Sequence, residues 1–364
     1  MNSGKAILVT GASGLVGAEL VRRLRELDRP VIAVTHRQPH IVDSAGGVIE
    51  ADEFSENCGA VSFVRGNVRE RGLGFDASTT KALSESVSTI IHSAATTAFD
   101  APERDYDELN VGGAVHTTEL AADWDATFVY VSSAYVCGRR TGLIGEDDLS
   151  DADQFSNGYE RSKYRAETYV KNSAGVRWSV VRPGIVTGTS STGAIRDFKN
   201  LYTVLKLIVE GKLRTLPGRY DADLSLSPID RVADVTIAAA TQFDRSRGKT
   251  FHAVGDRSIS LREISEVLSE YPSFEVARFV PSSSFSEDDL PDREREYYRR
   301  IGRQYTGYFS SRRTFDSTAA DELVGTPSPE SGQEYLRTLL DFCLESGFLG
   351  APLVDVDEVL RCSN

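Results

Sequence analysis

Tyr159 and Lys163 stand four residues apart in Asn157-Gly-Tyr-Glu-Arg-Ser-Lys163, and Ser133 ends the upstream run Val131-Ser-Ser133. On a helix that spacing puts the phenol and the ammonium on one face. A free tyrosine titrates near ~10, and a neighbouring cation favours phenolate, so Lys163 is expected to lower the value at Tyr159. Ser133, at a strand end, is expected to hydrogen-bond a carbonyl oxygen and orient it. Asn110 is a candidate to hold a water linking Lys163 to solvent; a helix-start or packing role is the alternative. Together these residues suit hydride delivery to a carbonyl carbon. Tyr159 and Ser133 would stabilise the charge that builds on oxygen and supply the proton.

Such chemistry needs a hydride carrier, and residues 7–17 read Ile-Leu-Val-Thr-Gly-Ala-Ser-Gly-Leu-Val-Gly. An apolar run over residues 5–10 predicts a buried parallel strand. Gly11 turns the chain, Gly14 lets the backbone approach a pyrophosphate, and Gly17 lets the next helix pack closely. That helix is expected over about 15–27, offering its N-terminus to phosphates. Thr10, Ser13 and Leu15 complete the expected contacts of this loop, and Lys163 is placed to reach the nicotinamide ribose.

The elements that must position these groups alternate along the chain. Strands are expected over 31–35, 61–65, 89–92, 128–131 and 178–182. Helices are expected over about 106–122 and 158–172, and 43–60 reads as a surface insertion. This alternation predicts an α/β fold, a doubly wound parallel sheet with right-handed crossovers. Ligands of such sheets bind outside the carboxyl ends of the strands. Gly11, the run Ser93-Ala94-Ala95, Ser133, and Pro183-Gly184 with Val186 all fall there. Beyond residue 188 the pattern changes: helices are expected over 194–210 and 231–240 and a strand over 251–254. The reading is a dinucleotide-binding Rossmann domain of 1–188 and 228–259, with a smaller substrate lobe of 189–227 and 260–364.

Composition narrows the classes. The chain has 364 residues, a net charge of −13 and 40% hydrophobic residues. An acidic balance argues against nucleic-acid binding. No apolar run approaches the ~20 residues that span a bilayer, and the N-terminal apolar stretch belongs to the glycine motif rather than to a signal peptide. Cys58, Cys137, Cys343 and Cys362 show no paired spacing, so reduced thiols and a cytoplasmic location are expected. The five histidines lack metal-ligand spacing, so no metal is expected.

Thr10-Gly-x-x-Gly-x-x-Gly17, Ser133 and Tyr159-x-x-x-Lys163 resemble the extended short-chain dehydrogenase/reductase superfamily. Further stretches resemble its thioester reductase and fatty acyl-CoA reductase branch, the male-sterility-type NAD-binding domains. They include Gly66-Asn-Val-Arg-Glu-Arg-Gly-Leu-Gly74, Ile90-Ile-His-Ser-Ala-Ala-Thr-Thr-Ala-Phe99-Asp, Val131-Ser-Ser-Ala-Tyr-Val136 and Val181-Arg-Pro-Gly-Ile-Val186. The likeness covers about residues 5–255. It implies an NADP(H)-dependent reductase that turns an acyl thioester, linked to coenzyme A or a carrier protein, into aldehyde or alcohol. It also implies an adenine contact at Asn67 and Val68, with Asn67 where the branch has Asp and Ser133 where it has Thr. With no carrier or adenylation segment attached, a stand-alone protein is expected.

Strand two ends Val34-Thr-His36-Arg37 without an acid to accept ribose hydroxyls. A cation there pairs with a 2′-phosphate, so NADPH is the expected cofactor, held by Arg37 and His36. Arg293, Arg295, Arg299, Arg300, Arg303, Arg312 and Arg313 form a basic island interleaved with Tyr297, Tyr298, Tyr305 and Tyr308. It is a candidate surface for coenzyme A phosphates or an acyl carrier protein, against the simpler reading of a helix surface balanced by Asp292, Glu294 and Glu296. Two other functions remain open. One is a ketoreductase, aldehyde reductase or nucleotide-sugar epimerase using the same residues. The other is a non-catalytic NADP-binding sensor.

Overall fold

The computed structural model describes residues 5–36, 40–55, 60–149 and 154–350. Its centre is a sheet of eight strands: β1 (Ala6–Thr10), β2 (Val31–Thr35), β3 (Asp52–Glu53), β4 (Val61–Arg65), β5 (Val87–His92), β6 (Thr127–Val131), β7 (Arg177–Pro183) and β8 (Thr250–Ala253). Their order is β8-β7-β6-β5-β1-β2-β4-β3, and every pairing is parallel. A parallel sheet is covered on both faces, which is why β1 and β2 are buried at every residue. From β1 the chain moves outward through β2 and β4, then returns to β5 on the other side of β1. The direction of winding reverses between β1 and β5, where a crevice opens at the strand ends.

Helices fill the two faces. On one, α1 (Leu15–Glu26) brings Leu20, Val21 and Leu24 against Val232 and Val235 of a later helix, Ile229–Thr241. On the other, Ala77–Ser86, Gly113–Asp123 and Gly158–Asn172 pack Leu83, Ala114 and Ala166 onto Ile90, Phe128 and Tyr130. These three are α2, α3 and α4, and Ile229–Thr241, following α5 (Leu201–Val209), is α6. A third apolar cluster gathers α5 with Leu261–Ser269, Asp292–Arg300 and Gln333–Glu345. Within residues 260–350, Thr318–Val324 is set apart: its Ala320 and Leu323 join the cluster of α1 and α6 beside the sheet.

The parallel doubly wound sheet expected from the sequence is the observed one, and α4 has the expected bounds. Three segments differ. α2 goes unread in the sequence because it is polar, yet Asp76 caps it by accepting from the Thr79 N–H at 2.7 Å. The insertion at 43–60 contributes β3 to the sheet edge and, with Ile41–Val42, a short antiparallel pair to Val48–Ile49. The helix expected over 194–210 shrinks to Leu201–Val209. Arg196 draws the preceding residues away by donating to the carbonyls of Ser13, at 2.6 Å, and Val42, and Asn200 takes φ of 53°.

The buried joint between α4 and β7 is an ion pair. Arg182 and Glu167 are both wholly buried and meet at 2.6 Å. Arg182 also donates to the carbonyls of Glu146 and Asp148, and Ser132 donates to Glu167 at 2.6 Å. Removing one partner leaves an uncompensated buried charge. Glu167→Ala is expected to lower unfolding stability by about 3–5 kcal/mol, read by urea unfolding. A loss under about 1 kcal/mol would show that the pair is not the joint described here.

Candidate active site

The glycine bed is built by contacts that exclude side chains. Gly11 holds φ of 67°, and a Cβ on it would lie 2.7 Å from the Ala94 nitrogen across the crevice. A Cβ on Gly17 would lie 2.1 Å from the Gly11 carbonyl oxygen, and one on Gly14 at 3.1 Å from the same atom. Gly14 is also the N-cap of α1, which has no capping side chain and no acid in its first turn. The bare helix end therefore keeps its N–H groups and partial positive charge for an anion.

Two cavities meet over this bed, sharing Gly11, Ser13, Gly14 and Ala95. The larger, about 940 Å³, is lined by Val34, His36, Asn67, Val68, Arg69 and Ala94 among others. The smaller, about 340 Å³, takes in Leu15, Gly17, Ser93, Ser133 and Tyr159, with Gly184 and Val186 on another side. A two-chambered cleft pinched over a glycine bed fits a dinucleotide, with its diphosphate at the pinch. Four expected contacts lie behind the walls. Thr10 is buried and shares a 2.8 Å hydrogen bond with His92. Pro183 is buried beside Ala253 in the sheet. Lys163 and Asn110 are buried too. Arg37 lies outside the described residues. Asn67 has its side chain engaged locally: it donates to Glu70 at 2.7 Å and accepts from the Arg69 N–H at 3.1 Å.

Tyr159 sits in the first turn of α4, after the N-cap Asn157, whose side chain accepts from the Glu160 N–H at 2.9 Å. Glycine at 158 is required because a Cβ there would meet the Tyr106 ring at 2.4 Å. Ser133 and Tyr159 line the same cavity, and the Ser133 Oγ accepts from the Tyr135 N–H at 3.3 Å. The expected effect of Lys163 on the phenol is corrected here. Burial pushes Tyr159 up to about 12, only partly opposed by the neighbouring Ser133. Lys163 instead donates to the Val131 carbonyl at 2.7 Å and lies over the Tyr130 ring at 4.3 Å. Burial pushes Lys163 down to about 7, with Glu167 pulling the other way. Burial thus keeps the phenol protonated at neutral pH.

Asn110 lies on a π-helical stretch, Tyr106–Gly112. Its amide accepts from the Thr96 N–H at 2.8 Å and donates to the Thr96 carbonyl at 3.1 Å and the Ser162 hydroxyl at 2.8 Å. It ties the segment after β5 to α4. His92 packs at its strand end, stacked on Tyr130 at 5.9 Å, and burial beside Lys163 pushes it down to about 3. No group of three or more metal-ligating side chains occurs among the described residues, and no described helix is long and apolar enough to cross a membrane.

The basic island is divided by the structure. Arg295 is spent on the carbonyls of Glu287, Asp288 and Leu290, Arg299 pairs with Glu287, and Arg312 reaches Asp221. Arg313 is buried. Tyr305 and Tyr308, read as part of a surface, are also buried and line the small cavity with Phe99, Tyr135 and Phe309. The signal for them was their aromatic character inside a charged segment.

The family model described as male sterility protein, an NAD-binding domain, matches residues 9–236. The chain belongs to this male sterility NAD-binding family. It is 28% identical over 322 residues to the L-2-aminoadipate reductase large subunit of Eremothecium gossypii, covering 78% of this chain and 23% of that protein. It is 24% identical over 290 residues to aldehyde reductase lnbA of Aspergillus flavus, covering 72% of this chain and 28% of that protein. The chain thus spans about a quarter of the length of these relatives. Among solved structures, the terminal R domain from the myxalamid PKS-NRPS pathway matches with a TM-score of 0.79 at 23% identity, over 97% of this chain and 94% of that one. A thiolation-reductase di-domain from an archaeal non-ribosomal peptide synthetase matches at 0.70 and 18% identity, over 95% and 76%. These likenesses agree with the Rossmann architecture.

Gly17→Ala places a Cβ against backbone, so dinucleotide affinity measured by calorimetry is expected to fall at least about tenfold; an unchanged affinity would remove the glycine bed from the site. Lys163 adds a pH signature. Between pH 7 and its ordinary value near 10.5, the unfolded chain holds a proton that the folded chain has released. Stability from this group therefore rises with pH across that window. Relative to Lys163→Met, the wild type is expected to gain stability from pH 7 to pH 9, a difference that cancels the titration of Glu146. Parallel curves would show that Lys163 is not desolvated.

Proposed function

We propose that the protein is an NADPH-dependent reductase of acyl thioesters, yielding aldehyde or alcohol. The observation that carries this reading is that Ser133 and Tyr159 together line a cavity continuous with the glycine bed. The named activities of the relatives, L-2-aminoadipate reductase and aldehyde reductase, support it. The acyl group would arrive on coenzyme A or on a carrier protein, the arrangement suggested by the thiolation-reductase relative.

When bound, the reduced nicotinamide supplies a hydride to the thioester carbonyl carbon. The Ser133 and Tyr159 hydroxyls hold the carbonyl oxygen and spread its developing charge. Tyr159, kept protonated by burial, gives its proton to that oxygen. The resulting hydroxyl then returns that proton to Tyr159 as the C=O bond re-forms and the C–S bond breaks, and the departing thiolate takes one proton from solvent to leave as thiol. Lys163, one helical turn from Tyr159, holds α4 to the end of β6 through the Val131 carbonyl. Asn110 positions α4 through Ser162.

The phosphorylated cofactor is favoured by the end of β2, where exposed His36 lines the larger cavity and no acid follows the strand before Arg37. Arg37→Ala is expected to reduce the preference for NADPH over NADH, read as the ratio of dissociation constants; equal affinities in the wild type would defeat the cofactor assignment. Thioester-dependent NADPH oxidation with release of free thiol tests the reaction, and Tyr159→Phe is expected to lower kcat by about 10²–10⁴-fold. Turnover confined to ketones or to nucleotide sugars would move the protein to the other chemistry open to this fold.

A further inference from the structure

The smaller cavity has a wall built from aromatic rings around the proposed acid. The Phe99 ring lies 6.0 Å from Tyr159 and 5.4 Å from both Tyr305 and Tyr308. Tyr308 meets Tyr135 edge-on at 4.8 Å. Tyr135, Tyr305 and Tyr308 are buried, so this is packed interior and not loose surface.

Nearby charge is held behind the rings. Arg313 is buried with its guanidinium 5.1 Å from the Tyr135 ring and 5.8 Å from Tyr308, and it donates to the Gly138 carbonyl. Glu160, next to Tyr159 in sequence, is wholly buried and accepts from the Ser156 N–H at 2.8 Å. Neither lines the cavity. Among the described residues that do, the charged ones are Asp197 and Lys199, both on the segment before α5, and Asp197 is paired with Arg196 at 3.5 Å.

We infer that the acyl group accepted at this site is uncharged, apolar and compact, selected by the wall of Phe99, Tyr135, Tyr305 and Tyr308. The inference rests on the proposed thioester reduction. A carbonyl oxygen held by Ser133 and Tyr159 places the first carbons of the acyl chain beside Phe99. Apolar carbons there leave water for ring surface. A carboxylate or ammonium would lose its water against these rings, and the attraction of a ring face for an ammonium offsets only part of that cost. The cavity of about 340 Å³ must also take the nicotinamide end of the cofactor, so the room left for an acyl group is small.

The test is a matched panel of pantetheine thioesters with NADPH and the intact protein: hexanoyl and benzoyl against glutaryl and 5-aminopentanoyl, read as kcat/KM. The apolar pair is expected to exceed the charged pair by at least about 100-fold, the scale on which an apolar pocket separates such analogues. Tyr305→Ala is expected to shift the chain-length optimum from hexanoyl toward decanoyl while keeping that order. Charged thioesters within tenfold of the apolar ones would overturn the inference and leave thioester reduction standing, as would a chain-length optimum unmoved by Tyr305→Ala. Turnover of ketones with no thioester reduced would defeat both together.

Discussion

The buried pair of Arg182 and Glu167 is the interaction on which the site's geometry depends. It joins the strand next to β6 to the helix that carries Tyr159 and Lys163. Through Glu167 it also holds Ser132, the neighbour of Ser133, and through Arg182 the carbonyls of Glu146 and Asp148. Two charges taken wholly out of water are tolerated only when their remaining hydrogen-bonding capacity is met, and here the guanidinium and the carboxylate both find further partners. The pair fixes orientation: the helix of Tyr159 and the strand end of Ser133 are set from two directions by the same carboxylate. A buried carboxylate one turn beyond Lys163 also keeps that amine from falling further in proton affinity.

The second constraint is the lack of space at the floor of the crevice. Gly11, Gly14 and Gly17 stack backbone on backbone so that α1 begins where the crevice opens. Arg196 then binds the Ser13 carbonyl from the segment that precedes α5, tying the glycine loop to part of the small cavity's wall. The bed and the small cavity are therefore parts of one packed unit, and the cavity's remaining walls come from chain segments as far apart as Phe99 and Tyr305.

What was legible in the sequence is local. The glycine spacing, the apolar runs of β1 and β2 and the four-residue step from Tyr159 to Lys163 each state their geometry within a few residues. The titration of Tyr159 was not legible, because its direction depends on burial and on Lys163 Nζ going to the Val131 carbonyl rather than to the phenol. The helix expected over 194–210 failed at its start for a similar reason. A contact between Arg196 and Ser13, 183 residues apart, overrides the local pattern. Tyr305 and Tyr308 looked like surface residues because arginines flank them; only the tertiary fold shows Arg313 turning inward against the rings of Tyr135 and Tyr308.

The central claim is that this pair of hydroxyls serves hydride transfer to a thioester carbonyl. Its most direct test uses NADPH deuterated at the transferring position of the dihydronicotinamide, with hexanoyl-pantetheine as substrate and mass spectrometry of the product. The account predicts one deuterium on the aldehyde carbon for each thiol released. Label that stays with the cofactor, or thiol released without label in the product, would contradict it.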